Sequence, residues 1–496
     1  MKGALFLLVY LSGGLWIIRC LLPRQRVLPR LWLGLSLGMF LLMWLPALVA
    51  FLRPFDATAQ WLSFIGLFAL CLAAFLLRSK SPLVKSSEED RKDLRLLLLF
   101  ALPLSLLGAF LQYTHVLRPV EGALHVGQST YGDLPLHLAI ATSLEGKTLP
   151  ADYSILPGTL LGYPFLADSL ATSFLTLGFS LRDAMVIPAC LLMAMVLWGY
   201  WLLARRACAS RGAACLAFLF LFLNGGLGFL YAFDMAGVSL GSSGQNQLQQ
   251  GQWLERLANI FQGWYQTPAN HAEFSTYNLR WSNLVADLLV PQRTFLAGWA
   301  VLLPCLYLIV DGMKSQARDL RPWALTGLLA GGLPLVHTHS FLALALCSAA
   351  WFVHSLTRKK PVLPWLVYGG TALLLSLPQL LFFTFRQSGQ EGFLRFHFNW
   401  VNNLSGFGLQ DGLLWFYLKN IGLPLLLLIF SLFEKNPWHK RLLLGALFIW
   451  IPAELVLFQP NSYDNNKLLY VAWALAAIPA ADYAVLSYQR LKANHD

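Results

Sequence analysis

The chain has 496 residues, of which 57% are hydrophobic and only 12% are charged, and its mean hydropathy is +0.58. Because soluble domains carry about a quarter charged residues, this composition excludes a soluble globular protein and predicts an integral membrane protein. The formal net charge is +12. Its basic residues cluster in short connectors between apolar runs, so the excess indicates membrane topology rather than nucleic-acid binding.

Apolar runs of membrane-spanning length recur along the whole chain. The first run lacks a signal-peptide cleavage motif, so we expect it to be retained as a span. The runs predict an all-α polytopic fold of about 13 helices, near residues 3–22, 31–52, 60–77, 95–113, 184–204, 213–232, 293–311, 322–336, 339–357, 362–384, 412–433, 442–459 and 467–487. We expect one transmembrane domain, residues 1–496, without a soluble C-terminal domain.

The basic connectors predict the orientation of these helices, because such clusters stay on the cytoplasmic side. They are residues 19–30, 78–95, 205–211, 314–321, 358–360, 435–441 and the tail from 490. If all lie inside, the N-terminus is outside and the C-terminus inside. The long polar segments 114–183, 233–292 and 385–411 then all fall on the outer face, with two short polar turns. Long loops of this kind are commonly functional.

Asp133 heads the apolar run of "YGDLPLHLAIATSL" (131–144), where Pro135 indicates the first turn of a helix. One interpretation is that Asp133 is a helix N-cap; the other is that its carboxylate takes part in chemistry. The i, i+4 spacing places His137 on adjacent surface, where it could orient this carboxylate or bind a phosphate. A hydrogen-bonded interfacial histidine is the alternative.

Two further charged residues lie within or beside apolar segments. Asp168, in "YPFLADSLA", is functional by default at membrane depth, unless it sits at a helix break bonded to backbone amides. Arg293 begins a span on the outer side, where cations are disfavoured, so we expect it to bind a lipid phosphate, a substrate phosphate or Asp287. Snorkelling of its side chain is the alternative.

The two short outer turns add further polar groups. "LPLVHTHSFLAL" contains His337 and His339, which form an HxH pair without a third metal ligand and fit hydrogen bonding to a phosphate or hydroxyl equally well. The seven cysteines show no metal-binding spacing either. The last outer turn contains Tyr463, Asp464, Asn465 and Lys467. Either Lys467 binds an anion, or the turn is stabilised by its Asn and Asp side chains and the lysine snorkels.

Carboxylates, cations, histidines and aromatics are thus predicted at one membrane face. Their order along the chain, in "YGDLPLHLAIATSL", "YPFLADSLA", "LLVPQRTFLAG", "LPLVHTHSFLAL" and "FQPNSYDNNKLLYV", resembles the bacterial multi-pass glycosyltransferases of the GT-C superfamily. The resemblance covers roughly residues 115 to 485. It implies a polyprenyl-phosphate sugar donor, a glycan, lipid or protein acceptor, and Asp133 as catalytic base in the first large outer loop.

The chain departs from the family pattern beside Asp133. Its neighbours are Gly132 and Leu134, so the DxD pair that accompanies metal dependence in many relatives is missing and no motif supports a divalent metal. We expect an inverting glycosyltransferase in the bacterial plasma membrane, in contact with membrane lipids, with its active site on the outer face and no nucleic-acid partner. The alternative is a transporter or flippase of lipid-linked saccharides, which would keep its binding residues near the membrane midplane.

Overall fold

Helices dominate the computed structural model, as the apolar runs predict. The structure describes residues 2–127, 130–224, 226, 278–281, 283–315, 319–388, 394–399, 403–405 and 408–494. Within these residues the α-helices are α1 (Lys2–Leu21), α2 (Val27–Ala50), α3 (Ala57–Leu76), α4 (Glu88–His115), α5 (Leu134–Ser143), α6 (Leu166–Thr176), α7 (Leu181–Ala207), α8 (Arg211–Phe222), α9 (Arg293–Ser315), α10 (Arg321–Gly331), α11 (Thr338–Thr357), α12 (Leu363–Gln379), α13 (Phe385–Ser388), α14 (Leu413–Ile421), α15 (Leu423–Ser431), α16 (Pro437–Leu455) and α17 (Asn466–Ala493).

The strands are short and pair only as antiparallel two-stranded ribbons in the part of the chain described. They are β1 (Arg118–Val120) with β2 (Ala123–His125), β3 (Asp152–Tyr153) with β4 (Leu156–Leu160), β5 (Arg395–Phe396) with β8 (Val456–Leu457), and β6 (Leu404–Ser405) with β7 (Gly408–Leu409). Short π-helical turns cover Val285–Leu289 and Leu380–Thr384, and a 3₁₀ turn covers Ser462–Asn465. Every ribbon lies between helices, so the strands belong to the connecting segments.

Nine helices among the described residues are long and apolar enough to cross a membrane. They are α1, α2, α3, α4, α7, α9, α11, α12 continued by the π-turn to Thr384, and α17 preceded by the 3₁₀ turn from Tyr463. This confirms the prediction of an all-α, multi-pass membrane protein. The individual spans also begin and end close to the predicted positions.

Four predicted spans differ from this set, so the count of thirteen stays a prediction. Of span 213–232, only the part up to residue 224 and residue 226 is described, and α8 ends at Phe222. Helix α10, in span 322–336, has only 11 residues. Helix α16 crosses most of span 442–459 but carries Lys440, Arg441 and Glu454.

The fourth segment, 412–433, is broken into α14 and α15, which meet at 115°. Gly422 forms the break with φ of 76° and ψ of −149°, a backbone conformation that side chains with a Cβ rarely adopt. Pro424 follows in the first turn of α15, where its fixed φ fits a helix start. The sequence predicted a continuous span here because apolar content does not show where the helix axis changes direction.

The chain divides into two compact units. The first contains residues 1–109, 133–206 and 293–390; the second contains residues 110–132, 207–292 and 391–496. In the first unit α1 packs closely on α2. The approach is so close that a Cβ on Gly14 would overlap the backbone of Gly34 and Gly38. Such small residues allow helix backbones to approach within a membrane. Helix α9 packs on α2, α6, α10 and α11 in the same unit.

In the second unit α17 packs on α8, α15 and α16. The Trp281 ring stacks on Trp450 at 5.7 Å between centroids and also contacts Tyr470 of α17. Asn420 accepts hydrogen bonds from the backbone N–H groups of Arg280 and Trp281 through its side-chain oxygen. This bonding fixes residues 280 and 281 against α14.

Basic and acidic residues of the predicted inner connectors meet at one end of the first unit. Arg26 lies 2.9 Å from Asp90 and 2.8 Å from Asp93, and Arg205 lies 3.0 Å from Asp93. At the end of α9, Asp311 accepts from Arg206 at 2.6 Å. Connectors 19–30, 78–95 and 205–211 therefore converge, as they must if the intervening helices cross the membrane in pairs.

Topology can be tested with single cysteines introduced into a cysteine-free protein. We expect Lys85→Cys and Lys359→Cys, in basic connectors, to resist a membrane-impermeant thiol reagent in intact cells, and Gly146→Cys to react. All three positions are exposed, so burial does not determine the result. Permeabilised cells are the control, in which all three should react. The reverse pattern in intact cells would contradict the orientation.

Candidate functional site

Three predicted site residues meet inside the first unit, around the carboxylate of Asp168. This side chain is fully buried at the first turn of α6. The Nδ1 atom of His137 lies 2.9 Å from one carboxylate oxygen and 3.1 Å from the other. Because an ionised carboxylate only accepts hydrogen bonds, His137 is the donor in this contact. The Nε atom of Arg293 lies 3.5 Å from the same carboxylate.

Arg293 is the first residue of α9 and is itself 7% exposed. Its Nη1 donates to the backbone carbonyl of Met185 on α7 at 2.9 Å. A carboxylate beside Arg293 is therefore Asp168, which the sequence analysis did not name for this contact. Sequence alone does not bring residues 168 and 293 together, because their proximity depends on α6 packing against α9.

Helices α5 and α6 are joined at two levels in matching register. His137 of α5 contacts Asp168 of α6, and one turn further along both helices Thr172 donates to the carbonyl of Ala141 at 2.8 Å. The His137 ring also makes an edge contact with the Tyr163 ring, at an interplanar angle of 66°. The Tyr163 hydroxyl lies 3.4 Å from the Thr294 hydroxyl. These contacts hold the first turn of α5 against α6.

Asp133 occupies the N-cap position of α5 but its side chain makes no capping hydrogen bond. Its φ and ψ of −96° and −29° are helical, whereas a capping residue usually has an extended backbone. The side chain is exposed, and its backbone carbonyl accepts from the N–H of His137. The carboxylate is thus held at the surface, one turn from the buried cluster, without a role in helix capping.

His337 and His339 lie at the turn between α10 and α11, and both are buried. His337 caps α11: its Nδ1 lies 2.8 Å from the Ser340 hydroxyl and accepts from the Ser340 backbone N–H. Its ring packs on Phe295 and on His339, at 5.5 Å between centroids in both cases. No group of three His, Cys, Asp or Glu side chains that could hold a metal occurs among the described residues.

The backbone N–H of Leu166, in the first turn of α6, donates to the carbonyl of Leu335 in this turn. Gln379 of α12 holds the same turn, accepting from the Leu335 N–H and donating to the Gly331 carbonyl. The histidine turn and the Asp168 cluster are therefore bonded neighbours within the first unit.

The remaining predicted residues lie in the second unit, before and within the first turn of α17. Lys467 forms an ion pair with Asp464 at 2.7 Å. Asn465 is fully buried and donates to the carbonyls of Ala453 and Val456. Tyr463 donates to the Arg280 carbonyl. The Asp side chain of this turn therefore pairs with Lys467, and the Asn465 side chain ties the turn to the segment before it.

Sequence reasoning missed a polar network in the second unit. The Asn278 side chain donates to Asn403 at 2.7 Å and to Asp411 at 2.8 Å, and Lys419 pairs with Asp411 at 2.7 Å. These residues come from three separate segments. The only sequence signal was their position in or beside the polar outer segments 233–292 and 385–411.

Comparison of the chain with protein-family models, with curated proteins and with solved structures finds no match. Its function is therefore argued from its residues and their geometry.

We expect Arg293→Met to lower the free energy of unfolding by about 3–5 kcal/mol, because it leaves a buried carboxylate without its cation. The free energy is measured by denaturant titration in mixed micelles. The control is Lys147→Met, at an exposed lysine, which should change it by less than about 0.5 kcal/mol. Equal stability of the two variants would favour snorkelling of Arg293 over a buried ion pair.

Proposed function

We propose that this protein is a membrane glycosyltransferase that transfers a sugar from a polyprenyl-phosphate donor to an acceptor hydroxyl or amine, with Asp133 as general base. The observation that supports it is the state of Asp133: an exposed carboxylate with no capping bond, at the head of a helix anchored by a buried ionic cluster. The resemblance to the GT-C superfamily supports the donor class.

The proposed reaction needs one proton acceptor. Asp133 takes the proton of the acceptor O–H or N–H as its oxygen or nitrogen attacks the anomeric carbon. The bond from that carbon to the phosphate oxygen breaks on the opposite face, so the configuration is inverted and polyprenyl phosphate leaves as an anion. Because the phosphate is already a stable leaving group, a general acid is not required.

The proposal places this site at the outer face of a bacterial plasma membrane and gives the chain thirteen spans in one transmembrane domain. The predicted inner connectors and the Asp168 cluster lie at opposite ends of α9, since Arg293 is its first residue and Asp311 lies near its end. Arg293 and Asp311 are 18 residues apart (311 − 293), which at about 1.5 Å per residue is about 27 Å along the helix, close to the hydrocarbon thickness of about 30 Å. This separation supports a site at the face opposite the basic connectors.

The substitution Asp133→Asn tests the base directly. Asparagine has nearly the same shape but does not accept the acceptor proton, so we expect sugar transfer to slow by about a hundredfold or more with unchanged donor binding. The assay supplies purified protein with a panel of radiolabelled polyprenyl-phosphate sugars.

The matched control is Asp152→Asn, at another exposed carboxylate of segment 114–183, which should transfer sugar at close to the normal rate. Near-normal turnover of Asp133→Asn would contradict its role as base. If the wild-type protein transfers no sugar from any donor in the panel, the proposed function itself is wrong.

Lys467, in the second unit, is the predicted partner of the donor phosphate. In the structure this lysine pairs with Asp464. If phosphate binds there, Lys467→Gln should weaken donor binding by about 1.5–3 kcal/mol. Asp464→Asn, which removes the competing carboxylate, should leave donor binding unchanged or strengthen it. Calorimetric titration with polyprenyl phosphate measures both, and unchanged affinity of Lys467→Gln would return this lysine to a purely structural role.

One observation favours the alternative of a lipid-linked saccharide transporter. Helices α14 and α15 form a broken helix pair, at 115°, and discontinuous helices are common in transporters. Reconstituted vesicles separate the two functions: a transporter moves fluorescent polyprenyl-linked saccharide across the bilayer without forming a new glycosidic product.

A further inference from the structure

We propose that Asp168 is a positioning residue, which acts through His137 to hold the first turn of α5, and with it the Asp133 carboxylate, in the place where catalysis occurs. The inference rests on the proposed function for its kinetic consequence. Its structural content, that Asp168 fixes the head of α5, stands independently of any reaction.

The energetic argument begins with the burial of the cluster. Asp168 is 0% exposed, His137 1% and Arg293 7%. Taking such groups out of water is costly, and a packed apolar cluster of similar volume is often as stable or more stable. A buried ionic cluster is therefore poorly explained by stability alone. What it adds over apolar contacts is directionality, because its hydrogen bonds fix distances and angles.

These directional contacts orient α5. Both carboxylate oxygens of Asp168 lie within hydrogen-bond distance of the single Nδ1 atom of His137, so this ring nitrogen is held against the carboxylate. Arg293 forms an ion pair with the carboxylate at 3.5 Å, while its Nη1 donates to the Met185 carbonyl. Helices α5, α6, α7 and α9 thereby contribute to one set of polar contacts.

One helical turn connects this cluster to Asp133. The backbone N–H of His137 donates to the backbone carbonyl of Asp133, so a movement of residue 137 also moves the backbone of residue 133. Because the Asp133 side chain makes no capping bond, its position depends on this turn. A displacement of about 1 Å between a base and its substrate can cost about a hundredfold in rate.

The test is a double-mutant cycle between Asp133→Asn and Asp168→Asn. If Asp168 acts only by positioning Asp133, Asp168→Asn should slow transfer by about tenfold to a hundredfold in the wild-type background, with unchanged Michaelis constant for the donor. In the Asp133→Asn background it should add less than about threefold, because there is no base left to position. Multiplying effects would instead show that Asp168 contacts substrate or acts elsewhere.

A matched control removes the second bond between the same two helices. Thr172→Val loses the hydrogen bonds to the backbone carbonyls of Ala141 and Asp168 but leaves the contacts of the Asp168 carboxylate intact. We expect it to slow transfer by less than about threefold. A loss as large as that of Asp168→Asn would mean that general loosening of α5 against α6, not the Asp168–His137 contact, controls the rate.

Hydrogen–deuterium exchange provides a measurement that needs no reaction. Asp168→Asn should raise amide exchange in the first turns of α5, residues 134–140, by about tenfold or more, whereas Thr172→Val should act mainly on the end of the helix. Unchanged exchange at residues 134–140 in Asp168→Asn overturns the positioning role. If wild-type protein transfers no sugar but this exchange pattern holds, the proposed function fails while the positioning role stands.

Discussion

The need to neutralise the buried carboxylate of Asp168 determines how the helices around it pack in the first unit. Within a membrane protein such a group must find its partners among neighbouring side chains, since water is not available to solvate it. It finds His137 and Arg293, on α5 and α9. Once these contacts are required, the first turns of α5 and α6 and the starts of α7 and α9 have little freedom to move relative to one another.

The other end of α7 and α9 carries a second ionic cluster, in which three arginines pair with three aspartates. There Arg26, Arg205 and Arg206 are held by Asp90, Asp93 and Asp311. Between the two ends α9 is almost entirely apolar and buried. The first unit therefore carries two ionic clusters separated by a length of helix close to the thickness of a bilayer. The two differ in composition: the first holds several acids, of which Asp90 and Asp93 are buried, and the second surrounds Asp168 alone.

Ion pairing limits how readily Arg293 and Lys467 can bind an anionic ligand. Arg293 and Lys467 were selected because cations are disfavoured on the outer side, and each has a carboxylate within its own unit. An anionic ligand at either residue must compete with that carboxylate. Asp133 has the opposite character, since its side chain is exposed and makes no capping bond. Of Asp133, Arg293 and Lys467, Asp133 is thus the residue whose side chain is exposed.

The sequence alone determined the class of the protein, because apolar runs of spanning length and clustered basic connectors follow directly from the cost of exposing polar groups to lipid. It also singled out Asp133, His137, Asp168 and Arg293, since charge in apolar surroundings is visible in one dimension. It did not show which charges neutralise one another, that His337 caps α11, or that segment 412–433 bends at Gly422. Those features were decided by the tertiary structure, because residues 137, 168 and 293 become neighbours only when α5, α6 and α9 pack, and a helix changes direction without any change in hydropathy.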